Sequence, residues 1–155
     1  MNEESVAPRI RVRVDVTGEA ISVAAVASFV EDPAAGASVV FTGTVRNHSP
    51  GREAVSRLEY EAYGEFAIRT IETIIEEAES RWEILRVAAV HRVGSLDVGE
   101  PAVCVAVSSA HRAHSFEACR YIIDELKSRV PIWKKEHWPG GAEWVAEGTT
   151  DVTTP

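Results

Sequence analysis

Pro101-Ala102-Val103-Cys104-Val105-Ala106-Val107-Ser108-Ser109 and the tract that follows it, Ser115 to Arg129 closed by Val130-Pro131, decide the fold. The first is a nearly unbroken β-branched and small apolar run, which reads as a strand. The second changes period. Phe116, Cys119, Ile123 and Leu126 recur at spacings of three and four, continuing to Val130, so the expected helix lays that face on a core. Pro131 lacks a backbone N–H and stops it. A strand leading into a helix over a five-residue link puts both element types in one domain, and the order of the remaining elements fixes the fold class.

Upstream, Ile84 to Arg92 reads as another strand, joined to the first through Gly94 and Gly99. Before it, Phe66 to Arg81 carries Ile68, Ile71, Ile75 and Ala78 at helical spacing, with Glu72, Glu76, Glu77 and Glu79 between them. Val55 to Ala62 and Ala37 to Val45 are strand-like, and Arg46-Asn47-His48-Ser49-Pro50-Gly51 between them is polar and turn-rich, hence a loop. Ala20 to Val30 is expected as a short helix ended by Asp32-Pro33. Arg9 to Val16 alternates apolar and charged residues, the pattern of a half-buried strand. Downstream of Pro131 comes a short Trp-rich segment. The order β-α-β-β-α-β-β-α-β predicts an α+β fold with a mainly antiparallel sheet and about three helices. The expected domain covers residues 9–148, with flexible tails at 1–8 and at the Thr-rich end, 149–155.

At 155 residues the chain has the size of one domain with a real core. Its net charge of −8 argues against nonspecific nucleic-acid binding, which needs a basic footprint. No apolar run approaches the roughly 20 residues of a membrane-spanning helix, so no membrane partner is expected. The acidic start, Met1-Asn2-Glu3-Glu4-Ser5, lacks the features of a signal peptide, which makes the cytoplasm the expected location. Cys104 and Cys119 both fall on apolar positions and read as buried thiols.

The charge is uneven. From His111 to His137 there are six Lys/Arg and four Asp/Glu, so this tract is +2 while the remainder is −10. A local cationic tract in an acidic protein suits a small anionic ligand. Four places carry candidate chemistry. Arg46 follows a strand directly, in a loop. His111-Arg112 precedes the expected helix, whose free N–H groups favour anions. Lys127 lies at that helix's C-terminal end, 40° round from Ile123, where it also complements the helix dipole. Lys134 follows Pro131-Ile132-Trp133, where the two apolar residues anchor the segment and set Lys134 near Lys127. Two ammonium groups held close together favour release of a proton from one of them, which suits acid/base or nucleophilic work as well as an anion clamp. Each place also has a purely structural reading as solvated charge. His111 and His114 have an i,i+3 spacing suited to a metal, but no third ligand accompanies them, so no metal is expected.

Several strings go further together. Phe41-Thr42-Gly43-Thr44-Val45-Arg46-Asn47-His48, His91-Arg92-Val93-Gly94, Ser108-Ser109-Ala110-His111-Arg112, Phe116-Glu117-Ala118 and Leu126 to Glu136, with Trp144-Val145 beyond, resemble the molybdopterin synthase large-subunit family from about Val12 to Val145. The resemblance implies an α/β-hammerhead-like fold and a sulfurtransferase reaction. Cyclic pyranopterin monophosphate becomes molybdopterin when two sulfurs are installed as a dithiolene. The sulfur comes from the thiocarboxylated C-terminal Gly-Gly of a small ubiquitin-like subunit, within a heterotetramer built on a homodimer of large subunits. No resident cofactor or metal is implied. By the same resemblance Lys127 and Lys134 are catalytic, and Arg46, His111, Arg112, Lys127 and Lys134 bind substrate, with Phe41 and the Trp133 segment shaping the walls. The sequence departs from the family in two places. Ala146-Glu147-Gly148-Thr149 lacks the basic residue that relatives can carry there to reach a neighbouring subunit's site, so that cross-subunit contribution is not expected from this tail, and Lys135 stands where arginine is common, which loses a bidentate fork. A different phosphate-handling enzyme, or a module that only docks a ubiquitin-like tail, fits the same cationic residues.

Overall fold

The computed structural model describes residues 11–146. The expected tails at 1–8 and 149–155 lie outside the described residues, as do both ends of the expected 9–148 domain. The elements run β1 (Arg11–Thr17), α1 (Val23–Phe29), β2 (Ala37–Thr44), β3 (Arg57–Ala62), α2 (Gly64–Arg81), β4 (Arg86–Arg92), β5 (Gly94–Asp97), β6 (Pro101–Ser109), α3 (Arg112–Arg129), β7 (Ile132–Trp138) and β8 (Gly141–Ala146).

They form two four-stranded sheets, ordered β1-β4-β6-β2 and β5-β3-β7-β8. In the first, β1 runs parallel to β4 and every other pairing is antiparallel. The second is wholly antiparallel. The α+β expectation and its three helices hold. The sheet is divided, however. The link between β4 and β6 is not a plain turn, because Gly94 to Asp97 leave the first sheet and pair with β3 in the second. Gly94 and Gly99 have φ of 94° and 90°, so the two corners of this excursion sit in the left-handed region that favours glycine.

The apolar runs of β4 and β6 follow from burial on both faces. Val87, Ala89, Val103, Val105 and Val107 face α2 and α3, while Ala88, Val90, Cys104 and Ala106 face Val26 and Val30 at α1. The second sheet closes on the larger of these clusters through Leu58, Tyr60, Leu96 and Ile132. One core therefore joins both sheets. Cys104 and Cys119 are free and buried, as expected. Burial raises the pKa of both thiols, that of Cys119 to about 11.

Three local expectations need correction. The first helix is shorter than Ala20 to Val30, because Ser22 caps it, its Oγ accepting from the Ala25 N–H at 3.1 Å. The α3 helix begins at Arg112, not near Ser115, and Ser115 is instead a buried residue of its first turn. Phe116 is 61% exposed and not on the core face. The buried stripe is Ser115, Ala118, Cys119, Ile122, Ile123 and Leu126, whose centre lies roughly 90° from Phe116 at about 100° per residue. The Trp-rich segment after Pro131 is a hairpin, β7 to β8, and no helix of the described residues is long and apolar enough to cross a membrane.

Candidate functional site

Lys134 reaches its place by strand alternation. In β7, Ile132, Lys134 and Glu136 face inward, while Trp133 faces out and is 41% exposed. Ile132 thus anchors the segment alone, and Trp133 meets Tyr63 edge-on at 5.8 Å. Lys134 is 8% exposed and pairs in register with Tyr60 of β3; Glu136 is 2% exposed and pairs with Leu58. Two charged groups are thereby carried to the inner side of the second sheet. Lys127 arrives from α3, in the last turn, where its stem lies at the edge of the buried stripe. Arg46 arrives from the first sheet, just past β2. Its position is set by Val45, whose N–H donates to the Glu100 carbonyl and whose carbonyl accepts from Gly99.

Arg46, Lys127 and Lys134 line one cavity of about 240 Å³ at the junction of the two sheets, with Tyr60, Glu136 and Ser49. Three cationic side chains against one carboxylate give the cavity a positive balance. Glu136 is held by Ser49, whose Oγ donates at 2.5 Å, and lies 3.7 Å from Arg52. Arg52 also pairs with Glu143 at 2.6 Å and stacks over Trp138 at 3.6 Å. The loop after Arg46 is thus fastened to the β7–β8 hairpin. Its own hollow, of about 840 Å³, shares His48, Ser49 and Val55 with the cationic cavity. On the other side a hollow of about 480 Å³, walled by Tyr60, Tyr63 and Trp133, shares Tyr60.

His111 and Arg112 do not line this cavity. They sit exposed at the N-terminal end of α3, roughly 22 Å from Lys127 along the axis at about 1.5 Å per residue. His114 Nδ1 accepts from the Glu83 N–H at 2.9 Å, and no group of three His, Cys, Asp or Glu residues suited to a metal occurs among the described residues. Phe41 packs half-buried against the core and does not line the cavity, while Trp133 walls its neighbour. Lys135 lies 5.6 Å from the Trp144 ring across the hairpin, outside the cavity. Sequence reasoning passes over Glu136, Tyr60 and Ser49. The signal for Glu136 is the alternation Ile132, Lys134, Glu136, which places it on the face of Lys134.

Fold and site together define an α+β protein with a cationic cavity, suited to gripping a small molecule with anionic groups. Comparison with known proteins gives the particular family. The family model described as MoaE protein matches residues 16–129. Molybdopterin synthase catalytic subunit 1 of Mycobacterium tuberculosis is 46% identical over 132 residues, covering 85% of this chain and 89% of that protein. The crystal structure of molybdopterin synthase from Staphylococcus aureus superposes with a TM-score of 0.76 at 36% identity, covering 88% of this chain and 96% of that one. A Helicobacter pylori chain, from a complex of subunits 1 and 2 of molybdopterin-converting factor, shares the fold with a TM-score of 0.69 at 17% identity over 86% of this chain and 89% of that one. The chain belongs to the MoaE family, the catalytic subunits of molybdopterin synthase, and is an enzyme subunit of molybdenum cofactor biosynthesis.

Proposed function

We propose that this chain is the sulfurtransferase subunit that converts cyclic pyranopterin monophosphate to molybdopterin, taking sulfur from the thiocarboxylated Gly-Gly end of a small ubiquitin-like partner. The observation that carries the reading is the convergence of Arg46, Lys127 and Lys134 on one cavity from three separate elements. Substrate phosphate and partner thiocarboxylate are both anions, and charge-assisted hydrogen bonds from such a set grip them. Arg46 serves as an anion clamp. As the thiocarboxylate sulfur bonds to a side-chain carbon of the pterin, that carbon's C–O bond breaks, the oxygen leaving with the opened cyclic phosphate for one sulfur and as water for the other, and a thioester links the two molecules. Water then cleaves it, leaving sulfur on the pterin and a carboxylate on the partner. Lys127 moves a proton or stabilises the tetrahedral oxyanion of that hydrolysis. Lys134 positions the pterin.

The nucleophilic sulfur is the partner's, so the chain needs no reactive thiol, which suits two cysteines whose thiols burial holds protonated. Two free thiols also suit a reducing cytoplasm. His111 and Arg112, far from Lys127 in their own chain, bind the pterin phosphate from a neighbouring large subunit of the homodimer within the heterotetramer. The test is Lys127→Ala. Mixed with thiocarboxylated small subunit and the pterin precursor, it loses dithiolene formation by about a hundredfold to a thousandfold, while small-subunit binding, read by calorimetry, persists. Substantial turnover by this variant sinks the assignment. A chain that binds the small subunit but leaves the pterin unchanged as wild type is a docking module instead.

A further inference from the structure

His91 lies behind the cationic cavity without lining it. It is 2% exposed, and as Val87 and Ala89 at alternate positions show, it sits on the face of the first sheet that α3 covers. A buried polar ring directly after the apolar run Val87-Ala88-Ala89-Val90 costs free energy unless its polar atoms are used. Nδ1 lies 2.8 Å from the Arg92 carbonyl. A carbonyl only accepts, so Nδ1 carries the proton, and in the neutral ring Nε2 keeps a lone pair. The ring is neutral near pH 7, because burial, and then the charge of Lys127, push its pKa down to about 4. Tyr60 meets it edge-on, with centroids 5.3 Å apart and planes at 70°. Tyr60 in turn walls the cavity and stands opposite Lys134. One uncharged ring therefore touches the cavity's aromatic wall and lies within electrostatic reach of Lys127.

We infer that His91 is a positioning residue for the two-lysine site: its ring, fixed through Nδ1–H to Arg92, locks Tyr60 opposite Lys134 and sets the polar surroundings of Lys127. The catalytic meaning of this rests on the sulfur-transfer reading; the physical linkage does not. A ring that merely fills space is replaceable by another ring. A ring that orients the site is not, since small displacements of catalytic groups cost rate more than binding.

Two measurements separate these roles. In the full chain labelled with 15N-histidine, Lys127→Ala moves the His91 Nε2 resonance and leaves that of His114, at the far end of α3, in place. An unmoved His91 defeats the proposal, whatever reaction the chain performs. In the complete reaction at pH 7.5, His91→Phe lowers kcat about tenfold and leaves KM for the small subunit within about twofold. Tyr60→Leu added to His91→Phe costs less than about twofold more, because the two residues act as a unit. Full kcat in His91→Phe, or losses that multiply independently, refutes the linkage. Absence of dithiolene from the wild-type chain refutes the sulfur-transfer reading instead and leaves the resonance test standing.

Discussion

A histidine that stays neutral in the folded chain leaves a mark on stability. Unfolded, His91 takes up a proton near the ordinary histidine value of 6.5; folded, only near 4. Between those values the unfolded state binds more protons, so the stabilisation is full above pH 6.5 and is lost as pH falls towards 4. A gap of this size corresponds to about 3 kcal/mol. Urea unfolding between pH 7 and 4 should therefore show a steeper loss for wild type than for His91→Phe. Parallel curves would remove His91 as the cause. The carboxylates of Asp32, Glu77 and Glu100, held low by their hydrogen bonds, stabilise the fold above their ordinary values of 3.8 and 4.5 and lose this as pH falls below them, at the bottom of this window and beyond, equally in wild type and variant. Gly36 is a second informative residue. Its N–H donates to the Ser109 carbonyl, and a Cβ built there falls 2.3 Å from the Ala110 oxygen. Gly36→Ala should cost about 1–3 kcal/mol in urea unfolding, whereas Gly18→Ala, with open space around it, should be near neutral. Lys127 and Lys134 are legible in the sequence as a charged pair flanking a proline. His91 is not, because a lone histidine at the end of an apolar strand gives no hint of which side chain its ring will meet.

The α3 helix joins the core to the site and separates what periodicity reveals from what it conceals. Its buried stripe holds Ile122 at its middle, against β6 and α2. Ile122→Ala should cost about 2–5 kcal/mol, as for other large-to-small core changes. Phe116→Ser, exposed nearer the start of the helix, should stay within about 0.5 kcal/mol. Equal losses would mean that Phe116 packs against something other than solvent in the free chain. Phe116 reads as core in the sequence because its spacing to Cys119 and Ile123 fits the helical repeat, yet spacing gives a face only to within the width of the stripe. The β7–β8 hairpin is harder to read. Ile132-Trp133-Lys134-Lys135-Glu136 places two bulky apolar residues before three charged ones, and Pro131 suggests only an ending. Its strand character comes from pairing with β3, a partner 70 to 80 residues away in sequence, and long-range pairing overrides local propensity.

At the scale of the whole molecule, the two sheets share one core, and the cavity opens where the end of β2, the last turn of α3 and the start of β7 converge. That placement explains why Arg46, Lys127 and Lys134, 88 residues apart at the extremes of the sequence, form one set. It also explains why His111 and Arg112 cannot join them within one chain: α3 is a rigid 18-residue spacer with Arg112 at its first position and Lys127 near its last. If the His111-Arg112 pair binds substrate, it does so across a dimer of large subunits. Subunit mixing tests this. Lys127→Ala and Arg112→Ala chains are each nearly inactive alone under the proposed reading. Unfolded together at equal amounts and refolded, half of the dimers are mixed, and each mixed dimer holds one site with both residues intact. Activity should return to about a quarter of the wild-type level. If the two residues served the same chain's site, every site in the mixture would lack one of them and no activity would return.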